Sequence, residues 1–424
     1  MSANTETVPA AGGAARRAAG LPRLLPPVPG TSDDLAAHRS RFGPLPDGLG
    51  AHLIDLAEQA GLTGRGGAAF PVYRKLRTAA QARSRKMVIG NAAESEPASR
   101  KDAALLWHAP HLVLDGLQLV AEAIGASQAV LYLGHRDQHE HLAQALVDRK
   151  QTGTRLVHAP PRFLAGQETA LVNRVEGGPA LPTFTPPLVP ERGIAVHNVE
   201  TLAHLALIAR YGPRWFREQG TTTEPGTMLA TLHTGTGRPA VIETGIGTPL
   251  HTLVTHQVTQ ALLIGGYHGT WLPAGALDDV TLDNRALSRH QATLGAGVIA
   301  LLPPGACGLR EAARVTRYLA AESAGQCGPC LNGLPRIAAA MAGLASRKPL
   351  RKQREDTGRW LTLVTGRGAC HHPDGTARFV RSALTVFAGE LRLHAKGQCS
   401  ATSREPFLPL PSTSSMPATE EDWL

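Results

Sequence analysis

The chain has 424 residues, of which 42% are hydrophobic and 18% are charged, and its formal net charge is +9. The length suffices for two or three domains with hydrophobic cores, and the composition excludes a chain that is disordered throughout. The positive charge is not arranged as a basic stripe interleaved with aromatic residues, so we expect no nucleic-acid partner.

Five cysteines are too few for a disulfide scaffold in a chain of this length. The N-terminal apolar stretch is interrupted by prolines, which is not typical of a secretory signal. The sequence contains no run of about 18–20 uninterrupted apolar residues, so we expect no direct membrane insertion. These features together predict a reducing, cytoplasmic location.

The first half of the chain begins with a polar segment and continues as an α/β pattern. Residues 1–45 are rich in Ala, Gly, Pro and Arg without periodicity, which predicts a disordered arm. Between residues 46 and 218, strand-like runs alternate with helical patterns. The strand candidates are "KMVIGN" and "QAVLYLG", and long helical patterns follow each of them. This order predicts an α/β domain with helices packed against a sheet.

The second half of the chain contains three segments that differ in composition and periodicity. Residues 222–303 contain short β-like runs broken by Gly, Pro and Thr, which predicts a small β-rich module. Residues 305–395 show amphipathic patterns and predict a helical domain. A C-x-x-C pair, Cys327 and Cys330, lies between its first two helices. Residues 396–424 predict a flexible tail.

The first chemical signal is a glycine-rich turn in "GLTGRGGAAFPVYRKL". Gly64, Gly66 and Gly67 allow successive backbone N–H groups to curl towards an anion. Arg65 and Lys75 would add positive charge to such a site. The pattern is neither a P-loop, which requires G-K-[ST], nor a dinucleotide-binding G-x-G-x-x-G. On its own it is compatible with phosphate binding or with a plain flexible turn.

A second signal, "KMVIGNAAESEPASRKD", ends a predicted strand at Asn91 and continues with Glu94 and Glu96. Polar groups at the carboxyl end of a strand in an open α/β sheet commonly bind ligands. Alternatively, Ser99 caps the next helix, and the acids favour its N-terminus through the helix dipole. Two weaker motifs, "FLAGQETALVNRVEGG" and "IAVHNVETLAHL", also place polar side chains before a helix.

The thiol pair in "AESAGQCGPCLNG" is compatible with three kinds of site. A C-x-x-C pair beside small residues occurs in redox disulfides, in zinc sites and in iron–sulfur sites. The pair alone does not distinguish between them.

In this order, the motifs resemble those of the NADH-binding flavoprotein subunit (the F chain) of respiratory NADH:ubiquinone oxidoreductase and of related soluble dehydrogenases. The resemblance extends over residues 50–392 and covers the glycine loop, N-A-x-E-S-E-P, G-x-E-T-A-L, x-N-V-E-T-L and E-S-x-G-Q-C-x-P-C. It implies an α/β FMN-binding domain over 46–218, a small β-grasp (SLBB-like, ubiquitin-like) module over 222–303, and a C-terminal α-helical bundle over 305–395 that carries an iron–sulfur site.

The resemblance also implies a flavin site in the first domain. In the family, a hydride passes from NADH to FMN, and single electrons leave through a [4Fe-4S] cluster. Glu94 or Glu168 would take part in proton-linked chemistry near the flavin ring. The implied cofactor-binding residues are Gly64, Arg65, Gly66, Gly67, Lys75, Asn91, Glu94, Asn198 and Thr201.

The cluster element departs from the family pattern S-C-G-Q-C-x-P-C, because its first cysteine position is Ala324. Cys327 and Cys330 match the second and third ligands, and Cys370 matches the distant fourth. Three alternatives remain. Another ligand completes a [4Fe-4S] cluster, the cluster has one labile or missing iron, or Zn²⁺ replaces the cluster and is bound by three Cys and one His. The candidates for the missing ligand are Cys399 first, and behind it Cys307, His371 and His372.

Departures on the nicotinamide side predict weakened NADH binding. The acidic pair of G-E-E-T-A-L is Gln167–Glu168, and the aspartate of the N-A-D-E turn is Ala93. The family's R-x-K-P-P-F stretch is T-F-T-P-P-L at residues 183–188, which lacks two cations and an aromatic ring. Each lost ionic partner or stacking ring costs about 1–3 kcal/mol of binding. Two further family positions differ, at Thr78 and His197.

The resemblance therefore implies an oxidoreductase subunit that passes electrons between FMN, a [4Fe-4S]-type cluster and a redox protein partner such as a ferredoxin, alone or within a larger complex. The basic segment "SRKPLRKQRE" (346–355) is suited to an acidic partner. Two alternatives remain. One is an NADH:acceptor oxidoreductase with a remodelled nicotinamide pocket, and the other is a non-catalytic scaffold or ligand-binding relative with a structural zinc.

Overall fold

The computed structural model of the protein describes residues 21–184, 186–235, 238–254, 258–346, 351–411 and 419–424. A parallel sheet with helices, a second mixed sheet and a set of helices follow each other along the chain. All five cysteines are free of disulfides. Within the described ranges, no helix is both long enough and apolar enough to cross a membrane.

The first sheet is parallel throughout, with the strand order β3-β2-β1-β4. Its strands are short, largely buried runs, as expected of parallel strands that are covered on both faces. Hydrophobic clusters lie on both sides of the sheet. The elements are α1 Leu35–Phe42, α2 His52–Ala60, α3 Val72–Gln81, β1 Met87–Ala92, α4 Lys101–His108, α5 Pro110–Ile124, β2 Gln128–Leu133, α6 Arg136–Asp148, β3 Thr154–His158, α7 Glu168–Val175, β4 Ile194–Asn198 and α8 Val199–Arg217.

The order of the strands reverses at β1. From β1 the chain proceeds outward to β2 and β3, and it then returns to the other side of β1 to form β4. The carboxyl ends of β1 and β4 therefore border a topological switch point, which is where open α/β sheets bind ligands. Asn91 and Asn198 are paired in the register of these two strands and lie at that point.

A close contact between α5 and α8 fixes the helix that follows β4. A Cβ atom on Gly116 of α5 would lie 1.9 Å from the carbonyl oxygen of Leu202 in α8. Glycine is therefore required for the two helix backbones to approach this closely. The N-terminus of α8 begins directly after Asn198 and is thereby held at the switch point.

The second sheet has five strands in the order β6-β5-β9-β7-β8. β5 and β9 pair in parallel, whereas the other neighbours are antiparallel. One face of the sheet has its own hydrophobic cluster, and the other face packs on the helices that follow. The elements are β5 Thr227–His233, β6 Ala240–Gly245, β7 Ala261–Ile264, β8 Thr270–Pro273, α9 Ala276–Asp279, α10 Asn284–Ser288 and β9 Val298–Leu302.

Helices dominate the next part of the chain. A π-helical turn, Pro329–Gly333, contains Cys330; such turns are rare and frequently occur at functional sites. The basic segment 346–355 leads into α13, but its residues 347–350 lie outside the described residues. The helices are α11 Gly308–Ala321, α12 Leu334–Ala345, α13 Arg351–Val364, α14 His372–Val386 and α15 Ala388–Ala395.

Residues 21–45 differ from the disordered arm that the composition predicts. They include α1, and Leu24 and Leu25 are buried in the first hydrophobic cluster. His38 of α1 pairs with the buried Asp115 at 2.8 Å. A few anchoring side chains therefore fix a segment whose average composition is that of a linker. The residues before position 21 lie outside the described part of the chain.

The C-terminal tail also differs from the flexible segment that the sequence predicts. Leu408 and Trp423 are only 1% and 3% exposed. The N–H of Ala180 donates to the carbonyl oxygen of Trp423 at 2.7 Å. Arg162 pairs with Asp422 at 2.6 Å. The tail contacts are thus made by isolated apolar and charged residues within a stretch rich in Pro and Ser.

Candidate functional site

A polar cavity of about 100 Å³ lies at the switch point of the first sheet. Its walls come from the glycine loop (residues 64–67), the turn after β1, the start of α4 and the N-terminus of α8. A larger cavity of about 210 Å³ near β6 is lined by none of the predicted site residues. The residues that line the polar cavity are Gly66, Asn91, Glu94, Ser95, Glu96, Ser99, Lys101, Asp102, Gly166, Asn198 and Ala296.

The predicted cofactor residues are divided between this cavity and its surroundings. A smaller cavity of about 30 Å³ lies on the other side of the glycine loop. The predicted residues that line the polar cavity are Gly66, Asn91, Glu94 and Asn198. Those that line the smaller cavity are Gly64, Arg65 and Gly67. Lys75, Glu168 and Thr201 line neither cavity.

The glycine loop is fastened to the N-terminus of α8. The backbone N–H of Arg65 donates to the hydroxyl oxygen of Thr201 at 2.9 Å. A Cβ atom on Gly66 would lie 3.3 Å from the Cβ atom of Asn198. Gly67 has a φ of +105°, a conformation that favours glycine. The loop therefore needs its glycines for close approach to α8 and for its turn.

The side chain of Arg65 is used for structure. It is buried, and its guanidinium donates to the carbonyl oxygens of Thr63, Pro225 and Thr227 at 3.1–3.3 Å. Pro225 and Thr227 lie at the start of the second sheet, so the guanidinium joins this sheet to the first domain. We expected this cation beside a phosphate; in the structure its donors are occupied by these carbonyls.

Glu94 is held in a partly buried and conformationally unusual position. Its φ is +39°, which is uncommon for a residue with a side chain. Its carboxylate accepts hydrogen bonds from the Ser99 hydroxyl and from the backbone N–H groups of Asp102 and Ala103 at 2.8–2.9 Å. Burial, and then the charge of Asp102, raise its pKa to about 7. Glu94 is therefore suited to exchange a proton near neutral pH.

A buried charge network forms one wall of the cavity. Lys101 donates to Asp102 at 2.7 Å, to Glu200 at 2.9 Å and to the side-chain oxygen of Asn198 at 3.1 Å. Glu200 also accepts from the backbone N–H of Leu229 in β5. Burial opposes the ionisation of Glu200, but the Lys101 ammonium outweighs it and lowers the pKa of Glu200 to about 2.

We did not predict Lys101, Asp102 or Glu200 as site residues. Their signal was present, because Lys101 and Asp102 follow the strand-ending motif and Glu200 lies within the N-V-E-T motif. Oppositely charged residues in two motifs at the same edge of a sheet are candidates for a buried pair.

The predicted cation Lys75 and the predicted acid Glu168 pair with each other at 2.6 Å. Lys75 also donates to the carbonyl oxygen of Val196 in β4. The next residue, His197, is buried, and its Nε2 has no hydrogen-bond partner among the described residues. Burial, and then the charge of Lys75, lower the pKa of His197 to about 3. His197 is thus a neutral imidazole with an unused polar atom.

The residues at the family's nicotinamide positions have other roles or lie exposed. Gln167 caps α7, and its amide oxygen accepts from the backbone N–H groups of Thr169 and Ala170. A neutral amide is sufficient for this cap. Phe184 and Leu188 are 46% and 70% exposed. Thr185, which lies between them, is outside the described residues.

The three cysteines predicted from the cluster element interact with one another. The pKa of Cys330 is raised to about 12 by burial and then by the charges of Cys327 and Cys370. Burial, and then Cys327, also raise the pKa of Cys370. Thiols with such pKa values stay protonated until a metal displaces the protons. The three thiols therefore influence one another's ionisation, as ligands of one cluster would.

Three of the four candidates for the missing ligand are separated from this group or already occupied. Both ring nitrogens of His372 have partners, which are the ring of His268 and the carbonyl oxygen of Leu319. Cys399, our first candidate, belongs to a second group that includes Cys307. His371, which precedes α14, is exposed.

The residue at the family's first cysteine position is partly buried and lies against apolar side chains. Ala324 packs against a small hydrophobic cluster that includes Leu164, Ala180 and Trp423. A methyl group in this cluster provides no ligand atom. Three protein thiolates therefore match the family pattern, and its first cysteine position is apolar.

Two family models match the chain. The Nuo51 FMN-binding domain matches residues 57–207, and the NADH-ubiquinone oxidoreductase-F iron-sulfur binding region matches residues 310–394. The first match contains the glycine loop and all the residues of the polar cavity except Ala296. The second contains the three grouped thiols.

Similar proteins carry related names. An F-type subunit (form 2) of the NADH-quinone oxidoreductase of Rhizobium meliloti is 28% identical over 374 residues, which cover 81% of this chain and 88% of that protein. The F-type NADH-quinone oxidoreductase subunit of Streptomyces coelicolor is also 28% identical, over 87% of each chain.

A solved structure has the same fold. A chain of the NAD⁺-reducing [NiFe]-hydrogenase in its H₂-reduced state matches with a TM-score of 0.75 and 26% identity over 84% of this chain. This chain spans 63% of that hydrogenase chain. From the two family models, the relatives and this fold, the chain is a relative of the F-type subunits of NADH-quinone oxidoreductases, with their FMN-binding domain and their iron–sulfur binding region.

Proposed function

We propose that this chain is an electron-transfer subunit that holds FMN at the polar cavity and an iron–sulfur cluster on Cys327, Cys330 and Cys370. The observation that carries the proposal is the cavity itself. It lies at the switch point of a parallel sheet and joins residues of the glycine loop, the strand-ending turn and the N-V-E-T motif.

The residues of the cavity fit the polar parts of a flavin mononucleotide. Gly66 of the glycine loop and Asn198 at the N-terminus of α8 border the cavity, and backbone N–H groups at a glycine turn or a helix N-terminus favour a phosphate. The amide of Asn91 also lines the cavity and suits the polar edge of a ring. The cavity is smaller than the roughly 300 Å³ of typical cofactor pockets, so part of the cofactor would lie outside it.

Within this site, the chain's own groups would orient the cofactor and move a proton. FMN, when bound, accepts a hydride and releases electrons singly. Glu94, with a pKa of about 7, would take up or release the accompanying proton. The Lys101–Glu200 pair would hold Asn198 and the N-terminus of α8 in place. Lys75 would reach a phosphate only by leaving Glu168.

The iron site would have three protein thiolates and one position without a cysteine. Because Ala324 lies in an apolar cluster, the fourth iron would be bound by a small exogenous ligand or would be labile. His371 is the protein alternative that the structure leaves exposed. The same three thiolates with His371 would instead form a zinc site if the cluster were absent.

NADH would bind weakly in this chain. Gln167 is committed to a helix cap, and Leu188 stands exposed where the family has an aromatic ring. We therefore propose a redox protein, such as a ferredoxin or another component of a larger complex in the cytoplasm, as the electron partner. The second sheet, β5–β9, would be the SLBB-like module of the family.

The test is an analysis of the anaerobically purified full chain for flavin, iron, sulfide and zinc, combined with its absorption spectrum and with EPR after reduction. We expect bound FMN and three to four irons per chain, and loss of iron in Cys330→Ser. FMN affinity should fall at least about tenfold in Gly66→Val, because the new side chain meets Asn198. Gly153→Val, at a glycine with open space around it, is the matched control.

Wild-type protein with neither flavin nor sulfide after reconstitution would refute the electron-transfer function and favour a scaffold. Titration with NADH tests whether the nicotinamide pocket binds NADH weakly or tightly. Bleaching of the flavin at micromolar NADH would show that the nicotinamide pocket works in remodelled form, and would refute the weak NADH binding proposed above.

A further inference from the structure

A second group of metal-binding side chains lies apart from the three grouped thiols. The ligand atoms of Cys307, Glu390, His394 and Cys399 all lie within 4.8 Å of one another. Glu390 and His394 are one helical turn apart on α15. Cys307 is the N-cap residue of α11, and Cys399 follows the end of α15. The group thus joins three segments of the C-terminal part.

The distances fit one tetrahedral ion. Zinc bonds of about 2.3 Å to sulfur and 2.0–2.2 Å to nitrogen or oxygen place neighbouring ligand atoms about 3.3–3.8 Å apart. The Sγ of Cys307 lies 3.6 Å from His394 Nε2 and 3.8 Å from Glu390 Oε1. His394 Nε2 lies 3.1 Å from Glu390 Oε1. These three distances between ligand atoms would change by only tenths of an ångström on binding of a zinc ion.

The neighbours of the group orient its ligands. The Nδ1 of His394 lies 3.2 Å from the carbonyl oxygen of Leu344, so it carries the proton and leaves Nε2 free to bind a metal. The backbone N–H of Ser400 donates to Glu390 Oε1 at 3.0 Å, and the Ser400 hydroxyl donates to Oε2. Such second contacts of histidine and carboxylate ligands are typical of zinc sites.

The burial of these side chains also favours a bound cation. His394 is fully buried and Cys307 is 5% exposed. A buried thiolate or carboxylate without a positive charge beside it is unfavourable. A divalent ion would remove this cost by replacing the thiol protons. Two sulfur ligands exclude Mg²⁺ and Ca²⁺, which prefer oxygen, and favour Zn²⁺.

We propose that Cys307, Glu390, His394 and Cys399 bind one structural Zn²⁺, separate from the iron–sulfur site. All four positions of the ion are filled by protein, so the site is closed and has no place for a substrate. The ion fastens the tail to α11 and α15. This inference stands independently of the electron-transfer function, because it uses none of the residues proposed there.

The test is metal analysis of the full chain in three forms: wild type, Cys399→Ser and Cys330→Ser. We expect about one zinc per chain in the wild type and in Cys330→Ser. Cys399→Ser should retain zinc at least about tenfold more weakly against a competing chelator. Iron should show the opposite pattern, falling in Cys330→Ser and unchanged in Cys399→Ser.

Any of several results would overturn the zinc site. They are no zinc in the wild type after equilibration with zinc, full zinc retention in Cys399→Ser, and a Cys307–Cys399 disulfide in the anaerobically isolated protein. Loss of iron in Cys399→Ser would also do so, because Cys399 would then serve the cluster. If Cys399→Ser does not fold, Glu390→Gln, which keeps the shape of the side chain, must show the weaker zinc retention.

Discussion

At the scale of single residues, the cavity contains residues in strained or buried positions that are unfavourable for folding. Such positions are typical of functional sites. Glu94 combines a positive φ with a buried carboxyl group, and the nearby Glu96 is also buried, with a pKa raised to about 7 by burial. Strained and buried positions persist where the surrounding structure fixes them. Here the fixing contacts come from the start of α4 and from the N–H of Tyr267.

The raised pKa of Glu94 predicts a particular dependence of stability on pH. Between about pH 4.5 and 7 the folded chain keeps a proton on Glu94 that the unfolded chain releases, so the free energy of unfolding falls as pH rises. One such group contributes a slope of up to about 1.4 kcal/mol per pH unit. Denaturant unfolding of the cofactor-free Glu94→Gln variant should show a shallower fall in this window.

The exposed Glu122 provides the control for this measurement. Its side chain accepts a hydrogen bond from Gln118 on the surface of α5. Glu122→Gln should therefore leave the pH slope unchanged. An unchanged slope in Glu94→Gln would mean that Glu94 ionises in the folded chain as it does in the unfolded chain.

At the scale of elements, the packing of α5 on α8 determines where the cavity lies. Gly116→Ala would force a methyl group against the carbonyl of Leu202 and should lower the free energy of unfolding by at least about 2 kcal/mol. Gly358→Ala is the matched control, since Gly358 lies on α13 with open space around it. That control should raise stability by about 0.5–1 kcal/mol. Denaturant unfolding of both variants measures the difference.

The same substitution should act on the site. A shift of α8 moves Asn198 and Thr201, so Gly116→Ala should also weaken FMN binding, whereas Gly358→Ala should not. If Gly116→Ala were as stable as the wild type, the close helix contact would be absent in solution.

How far the sequence predicts these elements depends on the range of the interactions. The strand around Asn91 and the helix after Asn198 could be predicted because apolar runs and polar ends are local signals. The charges of Lys101 and Glu200 in two motifs were a signal, but their pairing also depends on the order of the strands, which is not a local property. The separation of Cys399 from Cys327 could not be predicted either, since cysteine spacing does not specify partners.

At the scale of the whole molecule, contacts between distant segments hold the first domain against the helical part. Arg162 donates to Glu322 at the end of α11 and pairs with Asp422 of the tail. The guanidinium of Arg65 similarly joins the first domain to the second sheet. Because both arginines are about 9% exposed, their ion pairs and hydrogen bonds are screened little by solvent.

A substitution at the tail residue Trp423 tests whether the tail contacts hold the C-terminal segment against the rest of the molecule. Its ring is 3% exposed and packs with Leu164 and Ala324, so Trp423→Ala removes apolar contact beside the three thiols. We expect the C-terminus to undock, with a loss of about 1–3 kcal/mol in unfolding free energy. Carboxypeptidase should then remove C-terminal residues several times faster, as followed by mass spectrometry.

The neighbouring Leu424 is the matched control, because its side chain is 56% exposed. Leu424→Ala should leave both the unfolding free energy and the rate of digestion unchanged. Undocking also exposes the apolar surface around Ala324 to water, so iron should be lost faster from Trp423→Ala than from the control. Equal digestion of the two variants would show that Trp423 does not hold the tail, and equal iron loss would show that the tail does not shield the iron site.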